Sequence, residues 1–214
     1  MAEDRLKAWE LLFGRALEIV DSVAASGTRF EDWSFGGGTV LMRRYRHRAS
    51  KDVDIFVPDP QYLGYVSPRL NDTVDSLTSK HLETAISVKL FFPEGEIDFI
   101  ASAPLTKEPT VNETVLGRLV RVETTAEIIA KKVWHRGREF TARDIFDVAL
   151  VATREPSAIE SIRPILRERR EIIRTRIAAG AKALRTAFLG LDTLEFKPGF
   201  DECVRIVEDA LDKS

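Results

Sequence analysis

The sequence predicts an α+β fold, with an α/β-type N-terminal part and a helical C-terminal part. Two observations support this prediction. Strand-like segments alternate with helical patterns up to about residue 122, and beyond Thr124 apolar residues recur at helical spacing nearly to the end of the chain. We therefore expect a small mixed β-sheet flanked by helices in residues 1–122, followed by a helical domain in residues 123–214.

The first predicted element is an amphipathic helix over residues 3–26. Its apolar side chains, such as Trp9 and Phe13, recur every three or four residues, and Ser26-Gly27 ends the pattern. A short extended segment then enters a glycine turn, after which residues 38–46 form a short helix with an apolar side and an arginine-rich side.

The central part of the chain predicts several strands. Residues 53–57 are β-branched, aromatic and closed by Pro58, which is typical of a strand. Residues 61–79 are mixed, with helix in the second half. Residues 84–100 form a hairpin around Pro93-Glu94-Gly95, and residues 109–122 add one or two strands around Gly117.

The C-terminal part is predicted to be helical. Pro156 and Pro164 mark helix starts or breaks, because proline is tolerated in the first turn of a helix. Residues 190–199 form a loop, and residues 200–213 form a last helix that buries Cys203.

Composition narrows the class of protein. The chain has 214 residues, 44% hydrophobic and 31% charged, with a formal net charge of −2, which is typical of a globular protein. A single cysteine excludes an intrachain disulfide and argues against a cysteine-based zinc site. There is no secretory leader pattern and no apolar run of about 18 residues, so we expect a cytoplasmic protein without a membrane partner.

Positive charge is concentrated in two stretches. Residues 43–51 contain five lysine or arginine side chains, and residues 163–185 contain eight against two glutamates. A nearly neutral chain with two such stripes can present a positive cleft to a nucleic acid.

Asp52 and Asp54 form the most informative motif. On a strand, residues two apart point to the same face, with Cα atoms about 6–7 Å apart. Two such carboxylates repel each other unless a cation lies between them. Mg²⁺, with Mn²⁺ as the alternative, takes oxygen ligands and also binds substrate phosphates. An isolated Asp-x-Asp pair on a solvated strand edge is the competing interpretation.

The glycine run Gly36-Gly37-Gly38-Thr39 precedes this pair by about fourteen residues. Glycine allows a phosphate to approach the backbone closely, and the N–H groups at a helix start favour an anion. A glycine run alone is usually only a turn, but together with the carboxylate pair it predicts a phosphate and metal site.

Asp98 is a candidate third carboxylate. It lies in the middle of a strand with apolar neighbours, where a carboxylate is costly unless solvated, paired or bound to metal. If the hairpin lies beside strand 53–57, Asp98 can join Asp52 and Asp54 around one or two cations. Solvation at an edge strand is the alternative.

A second cluster of charge lies between residues 127 and 147. Lys131 and Lys132 are adjacent on a helix and therefore point in different directions, so only one can face a given cleft, where it could neutralise phosphate charge. Arg143 and Asp147 share a helix face and can simply pair. A surface ion-pair network is the alternative to a functional role.

These motifs resemble the polymerase-β-type nucleotidyltransferase superfamily. Within it, Gly-Gly-Thr-Val-Leu with Arg48-x-Ser50-x-Asp52-Val53-Asp54 is similar to the AbiEii/AbiGii toxin group, which includes the MenT-like toxins. Ala130-Lys131-Lys132 and Arg143-Asp144-Ile145-Phe146-Asp147 resemble downstream motifs of that group. The likeness covers about residues 33–150, and it implies the nucleotidyltransferase fold.

The resemblance also implies roles for individual residues. Carried over by position, they are phosphate or nucleotide contacts for Gly37, Gly38, Thr39, Arg48, Ser50 and Lys132, metal ligation for Asp52, Asp54 and Asp98, and catalytic roles for Asp52, Asp54, Asp98, Lys132 and Asp144. The implied activity is Mg²⁺-dependent transfer of a nucleoside monophosphate from an NTP. The implied partners are an RNA, such as the tRNA 3′ end, and a cognate antitoxin protein.

Two other functions are compatible with the sequence. The acceptor could be a small molecule or a protein side chain, which steeply salt-dependent RNA binding would argue against. The chain could also bind nucleotides without turnover, although the presence of Asp52, Asp54 and Lys132 speaks against this.

Overall fold

A computed structural model describes residues 2–213 of the chain, with side chains from residue 6 onward. In it the chain forms two compact units. Unit 1 comprises the residues up to Val40, Ser50–Pro104 and Thr110–Glu123, and unit 2 comprises Leu41–Ala49, Leu105–Pro109 and the residues from Thr124 onward. The two units are interleaved along the chain, because two short internal segments belong to unit 2.

Unit 1 is built on a seven-stranded mixed sheet. Its strands are β1 (Ser34–Gly36), β2 (Val53–Val57), β3 (His81–Glu83), β4 (Ser87–Phe92), β5 (Gly95–Ala101), β6 (Thr110–Val115) and β7 (Arg118–Glu123). Their order in the sheet is β3-β4-β5-β2-β1-β7-β6. The pairs β2–β5 and β1–β7 are parallel and the others antiparallel. This arrangement confirms the predicted mixed sheet.

Helix α1 (Ala2–Ala25) covers one face of this sheet at β2 and β5. Its buried side chains lie three or four residues apart and include Phe13, whose ring centroid is 4.5 Å from that of Phe35 on β1. Along β2 the residues alternate between buried and partly exposed, with Ile55 fully buried. The opposite set, which includes Asp54, therefore lies on the other face of the sheet.

Two shorter elements complete unit 1. A 3-10 helix spans Pro60–Val66 and begins at Asp59, whose carboxylate accepts a hydrogen bond from the Gln61 amide. Helix α3 (Asp72–Leu77) begins at Asn71, whose side chain caps it in the same way. These elements correspond to the mixed segment predicted over residues 61–79.

Unit 2 is helical. Helix α2 (Gly37–Tyr45) begins in unit 1 and continues into unit 2, which also contains α4 (Thr125–Arg136), a 3-10 turn (Gly137–Glu139), α5 (Ala142–Arg154), α6 (Pro156–Ser161), α7 (Arg163–Leu189) and α8 (Phe200–Asp212). Proline occupies the first turn of α6 and α7, as the sequence predicts.

Helix α5 is the centre of the unit 2 core. Most of its residues are buried, and Phe146 packs edge-on against Phe188 and Phe196. Cys203 on α8 is buried, as predicted. Among residues 2–213, no helix is long and apolar enough to cross a membrane.

Most predicted elements are present within a few residues of their predicted bounds. The hairpin predicted over residues 84–100 is β4–β5, and the strands around Gly117 are β6 and β7. Strand β3 was not predicted. Its three residues, His81–Glu83, are too short to show a periodic pattern, and the strand forms because it pairs with β4 along the edge of the sheet.

Candidate functional site

The glycine turn connects the end of β1 to the start of α2. Gly37 has a φ of +74°, in the left-handed region that glycine adopts at little cost. A Cβ atom on Gly37 would overlap the carboxylate of Asp54. The turn therefore needs glycine both for its backbone conformation and because the Asp54 side chain lies directly against it.

Asp54 and Asp98 lie side by side on adjacent parallel strands. Asp54 is the register partner of Asp98 on β5 and of Gly36 on β1. Register partners on neighbouring strands project to the same face, about 4.8 Å apart along the sheet. The structure thus brings Asp54 and Asp98, two of the three predicted carboxylates, together beside the glycine turn.

The charge state of Asp98 reflects this crowding. Burial raises the pKa of Asp98 to about 6, the Lys89 ammonium opposes the rise, and the Asp54 carboxylate adds to it. The Lys89 Nζ atom lies 3.3 Å from Asp98 Oδ2, whereas the buried Oδ1 accepts no hydrogen bond. A second full negative charge beside Asp54 is therefore poorly compensated.

Asp52 is held by backbone contacts just before β2. Its Oδ1 accepts a hydrogen bond of 3.2 Å from the Glu96 amide. The Thr39 hydroxyl on α2 donates to the Asp52 carbonyl at 2.5 Å, and its oxygen lies 3.0 Å from Ser50 Oγ. Thr39 is fully buried, so its hydroxyl fixes the segment that leads into the carboxylate pair.

The residues at this site fit an oxygen-preferring divalent cation. Asp98 offers an unpaired buried oxygen, and its raised pKa shows that positive charge would be favourable here. Within the described residues, no group of three or more His, Cys, Asp or Glu side chains could hold a metal ion. Mg²⁺ commonly takes only one or two carboxylates and completes its coordination with water and phosphates, so the carboxylates present are sufficient.

A further carboxylate lies on the other side of the glycine turn. Glu123 at the end of β7 is only 1% exposed, and a Cβ atom on Gly36 would overlap its carboxylate. The Ser34 hydroxyl donates a hydrogen bond to Glu123 Oε1 at 3.4 Å. Glu123 was not predicted from the sequence, because the pairing of β7 with β1 brings it beside the glycine turn.

A second polar cluster lies in the core of unit 2, around Asp147. The Arg48 guanidinium donates two hydrogen bonds to the Asp147 carboxylate, at 2.7 and 2.8 Å, and His47 Nε2 lies 2.8 Å from Asp147 Oδ1. Burial raises the pKa of Asp147, but Arg48 and Lys132 outweigh it and hold that pKa well below its usual range. Burial lowers the pKa of His47.

Lys132 joins this cluster to Asp144. Its ammonium lies 3.0 Å from Asp144 Oδ1 and 3.1 Å from Asp147 Oδ2. Asp144 also forms a capping box with Thr141 at the start of α5. Although burial raises the pKa of Asp144, Lys132 and Arg136 lower it overall.

The predicted site residues thus form two groups. In unit 1 Asp54 lies against the glycine turn and in register with Asp98, while the Asp52 carboxylate is held by the Glu96 amide. In unit 2 Arg48 and Lys132 bind Asp147, and Lys132 also binds Asp144. The local pair suggested for Arg143 and Asp147 does not form, because Arg143 is exposed and Asp147 is bound by Arg48 and Lys132. His47 and Lys89 were not singled out individually by sequence.

A mixed sheet with a strand–glycine turn–helix connection and carboxylates on adjoining strands is the arrangement expected of a polymerase-β-type nucleotidyltransferase. The family model described as the nucleotidyl transferase AbiEii toxin of a type IV toxin–antitoxin system matches residues 21–212. Because the match spans most of the sequence, the chain belongs to the AbiEii family. It is therefore a nucleotidyltransferase of a toxin family.

One solved structure supports the fold. MenT4, a nucleotidyltransferase toxin from Mycobacterium tuberculosis H37Rv, matches with 15% sequence identity and a TM-score of 0.51, covering 93% of this chain and 82% of that one. The antibiotic-resistance factor ANT(2'')-Ia matches with 15% identity and a TM-score of 0.48, covering 89% of this chain and 100% of that one. A comparison with curated proteins gives no match.

Proposed function

We propose that this nucleotidyltransferase toxin transfers a nucleoside monophosphate from an NTP to the 3′ end of tRNA, with Mg²⁺ bound at Asp52 and Asp54. The observation that carries the proposal is the register of Asp54 with Asp98 on one side and with the glycine turn on the other. Carboxylates beside an anion-binding turn suit a metal-bound triphosphate.

The glycine turn and the start of α2 would hold the phosphates. Helix α2 has nine residues and no acidic residue in its first turn, so its N-terminal amide groups favour an anion. The bound Mg²⁺ would offset the phosphate charge as the reaction proceeds. Thr39 and Ser50 would keep the Asp52 segment in place rather than contact the nucleotide directly.

The reaction needs one proton acceptor. The acceptor hydroxyl oxygen would form a bond to the α-phosphorus while the bond from that phosphorus to the oxygen bridging to the β-phosphate breaks and pyrophosphate leaves. Asp98 would take the proton from the attacking hydroxyl, because its pKa of about 6 lies close to neutral pH.

The roles implied for Arg48, Lys132 and Asp144 stay predictions. Their contacts favour a structural contribution, because Arg48 and Lys132 are bound to the fully buried Asp147. We assign them to holding the unit 2 core together, and a contact of Lys132 with the NTP would be additional to that role.

Helix α7 is the proposed RNA-binding element. Several of its cations already have protein partners: Arg174 pairs with Asp212, Arg185 pairs with Asp201, and Arg169 stacks on Trp134 at 4.0 Å. We therefore assign the phosphate contacts to the exposed Arg167 and Lys182, which would bind the RNA backbone without reading its sequence.

The test is transfer of label from α-³²P NTPs to tRNA in the presence of Mg²⁺. Asp54→Asn should abolish labelling, whereas Asp75→Asn, an exposed control on α3, should not change it. Undiminished labelling by Asp54→Asn would refute the proposed site. Label incorporated into a small molecule or a protein, but not into RNA, would refute the proposed acceptor.

The same assay tests the RNA-binding surface. Arg167→Gln combined with Lys182→Gln should raise the KM for tRNA several-fold and leave the KM for NTP unchanged. Arg174→Gln is the matched control, since Arg174 is bound to Asp212.

As a toxin of a toxin–antitoxin system, the protein is proposed to be neutralised by an antitoxin encoded beside it.

A further inference from the structure

Lys89 lies within the carboxylate site on the same face of the sheet. It is the register partner of Asp98 on the neighbouring antiparallel strand, and its side chain is 31% exposed. Its ammonium lies 2.8 Å from Glu96 Oε2 and 3.3 Å from Asp98 Oδ2. Lys89 thus bridges two carboxylates at the edge of the proposed active site.

Lys89 is the positive charge beside a group of negatively charged side chains. Four carboxylates lie on two neighbouring strands or directly before them, namely Asp52, Asp54, Glu96 and Asp98. The Lys89 ammonium is bound by two of them, Glu96 and Asp98. A fixed positive charge therefore already lies on the side of Asp98 away from Asp54.

We propose that Lys89 is a positioning residue that takes the place of a second cation in this site. Its ammonium binds Oδ2 of Asp98 and leaves Oδ1 available to accept the proton of the attacking hydroxyl. This chain would bind one divalent cation at Asp52 and Asp54 and supply a second positive charge from Lys89, on the far side of Asp98. The inference rests on the proposed function, because it assumes that a cation binds at Asp52 and Asp54.

Removal of the ammonium should open a second cation position between Glu96 and Asp98. The wild-type protein should bind one Mn²⁺ per chain, and Lys89→Met should bind two, as counted by electron paramagnetic resonance of free Mn²⁺. Lys89→Arg, which keeps the charge, should bind one. The double variant Lys89→Met/Glu96→Gln should return to one, because one of the two new ligands is lost.

Thermal unfolding supplies an independent readout. Without divalent cations, Lys89→Met should melt below wild type, because Asp98 and Glu96 lose their counter-ion. Addition of Mn²⁺ should raise its melting temperature by more than it raises that of wild type. Lys80→Met, at an exposed lysine in the same unit, should respond like wild type. If the methionine variant fails to fold, Lys89→Gln replaces it in both measurements.

The outcomes separate the two proposals. If wild type binds one Mn²⁺ and Lys89→Met also binds one with an unchanged thermal shift, the role of Lys89 is refuted while the cation site stands. If wild type binds no Mn²⁺, the cation chemistry of the proposed function fails, and the inference about Lys89 fails with it. A kcat loss in Lys89→Met with an unchanged KM for NTP would support positioning rather than substrate binding.

Discussion

At the scale of single residues, Gly37 links backbone conformation to site chemistry. Its positive φ is a cost for any residue with a side chain, roughly 1–2 kcal/mol. Its contact with Asp54 adds a steric requirement that a turn alone would not impose. The two effects can be separated, because Gly117 shares the positive φ, at +81°, but has open space where a Cβ would be.

We predict that Gly37→Ala abolishes nucleotidyl transfer, because the new methyl group displaces the Asp54 carboxylate. Gly117→Ala should lower stability through the same backbone strain and leave transfer unchanged. The measurements are urea unfolding and label transfer on both variants. Equal loss of activity in the two variants would show that backbone strain, rather than the Asp54 contact, accounts for the effect.

Asp98 should make stability depend on pH in a direction opposite to that of most carboxylates. Its folded pKa of about 6 lies above the ordinary aspartate value of 3.8, so folding favours the protonated form. Protonated Asp98 makes its full contribution to the free energy of unfolding below pH 3.8, and this contribution is lost as the pH rises through 6. Asp98→Asn should therefore become more stable relative to wild type across this interval, by about 3 kcal/mol.

The check is chemical denaturation of both proteins from pH 3.5 to 8 in EDTA. The difference in unfolding free energy should grow with pH up to about 6 and then level off. A difference independent of pH would mean that Asp98 is not the perturbed group. Added Mg²⁺ should reduce the difference at pH 8, because a bound cation stabilises the ionised Asp98.

At the scale of elements, α4 and α5 are joined by buried charge as well as by apolar packing. Asp147 on α5 is fully buried and receives Arg48 and Lys132. Removal of one partner from a buried ion network leaves the charges of the others buried and uncompensated. We predict that Asp147→Asn lowers the unfolding free energy by about 3–5 kcal/mol.

The matched control is Asp212→Asn, which removes the carboxylate of the surface pair with Arg174. Exposed pairs contribute about 0–1 kcal/mol, so this variant should unfold close to wild type. Both variants would be measured by urea denaturation at pH 7. A small effect for Asp147→Asn would show that the buried network adds specificity rather than stability.

The elements also show which parts of the structure local sequence patterns can predict. Strand β2 and helix α1 follow from periodicity, because each buries one side and leaves the other at least partly exposed. The partners of Asp147 could not be predicted, since Arg48 lies 99 residues away in sequence. Local spacing favoured Arg143 as its partner, and long-range packing brought Arg48 and Lys132 instead.

At the scale of the whole molecule, the fold class and the enzyme class were predicted from a few motifs. The glycine turn and the Asp-x-Asp pair are local in sequence, and Asp54 of that pair lies against the turn in the structure. Glu123 and Lys89 were not predicted as site residues because strand register places them there. Register depends on which strands pair, and that information is distributed over the chain.

The central claim is that Asp52 and Asp54 bind a divalent cation beside the glycine turn. The most direct test is a crystal of the protein with Mn²⁺ and a non-hydrolysable NTP analogue, in which anomalous scattering locates the metal. We predict a peak within coordination distance of carboxylate oxygens of Asp52 and Asp54, with triphosphate oxygens against the start of α2. A peak elsewhere, or a triphosphate that leaves Gly37 and Gly38 uncontacted, would contradict the account.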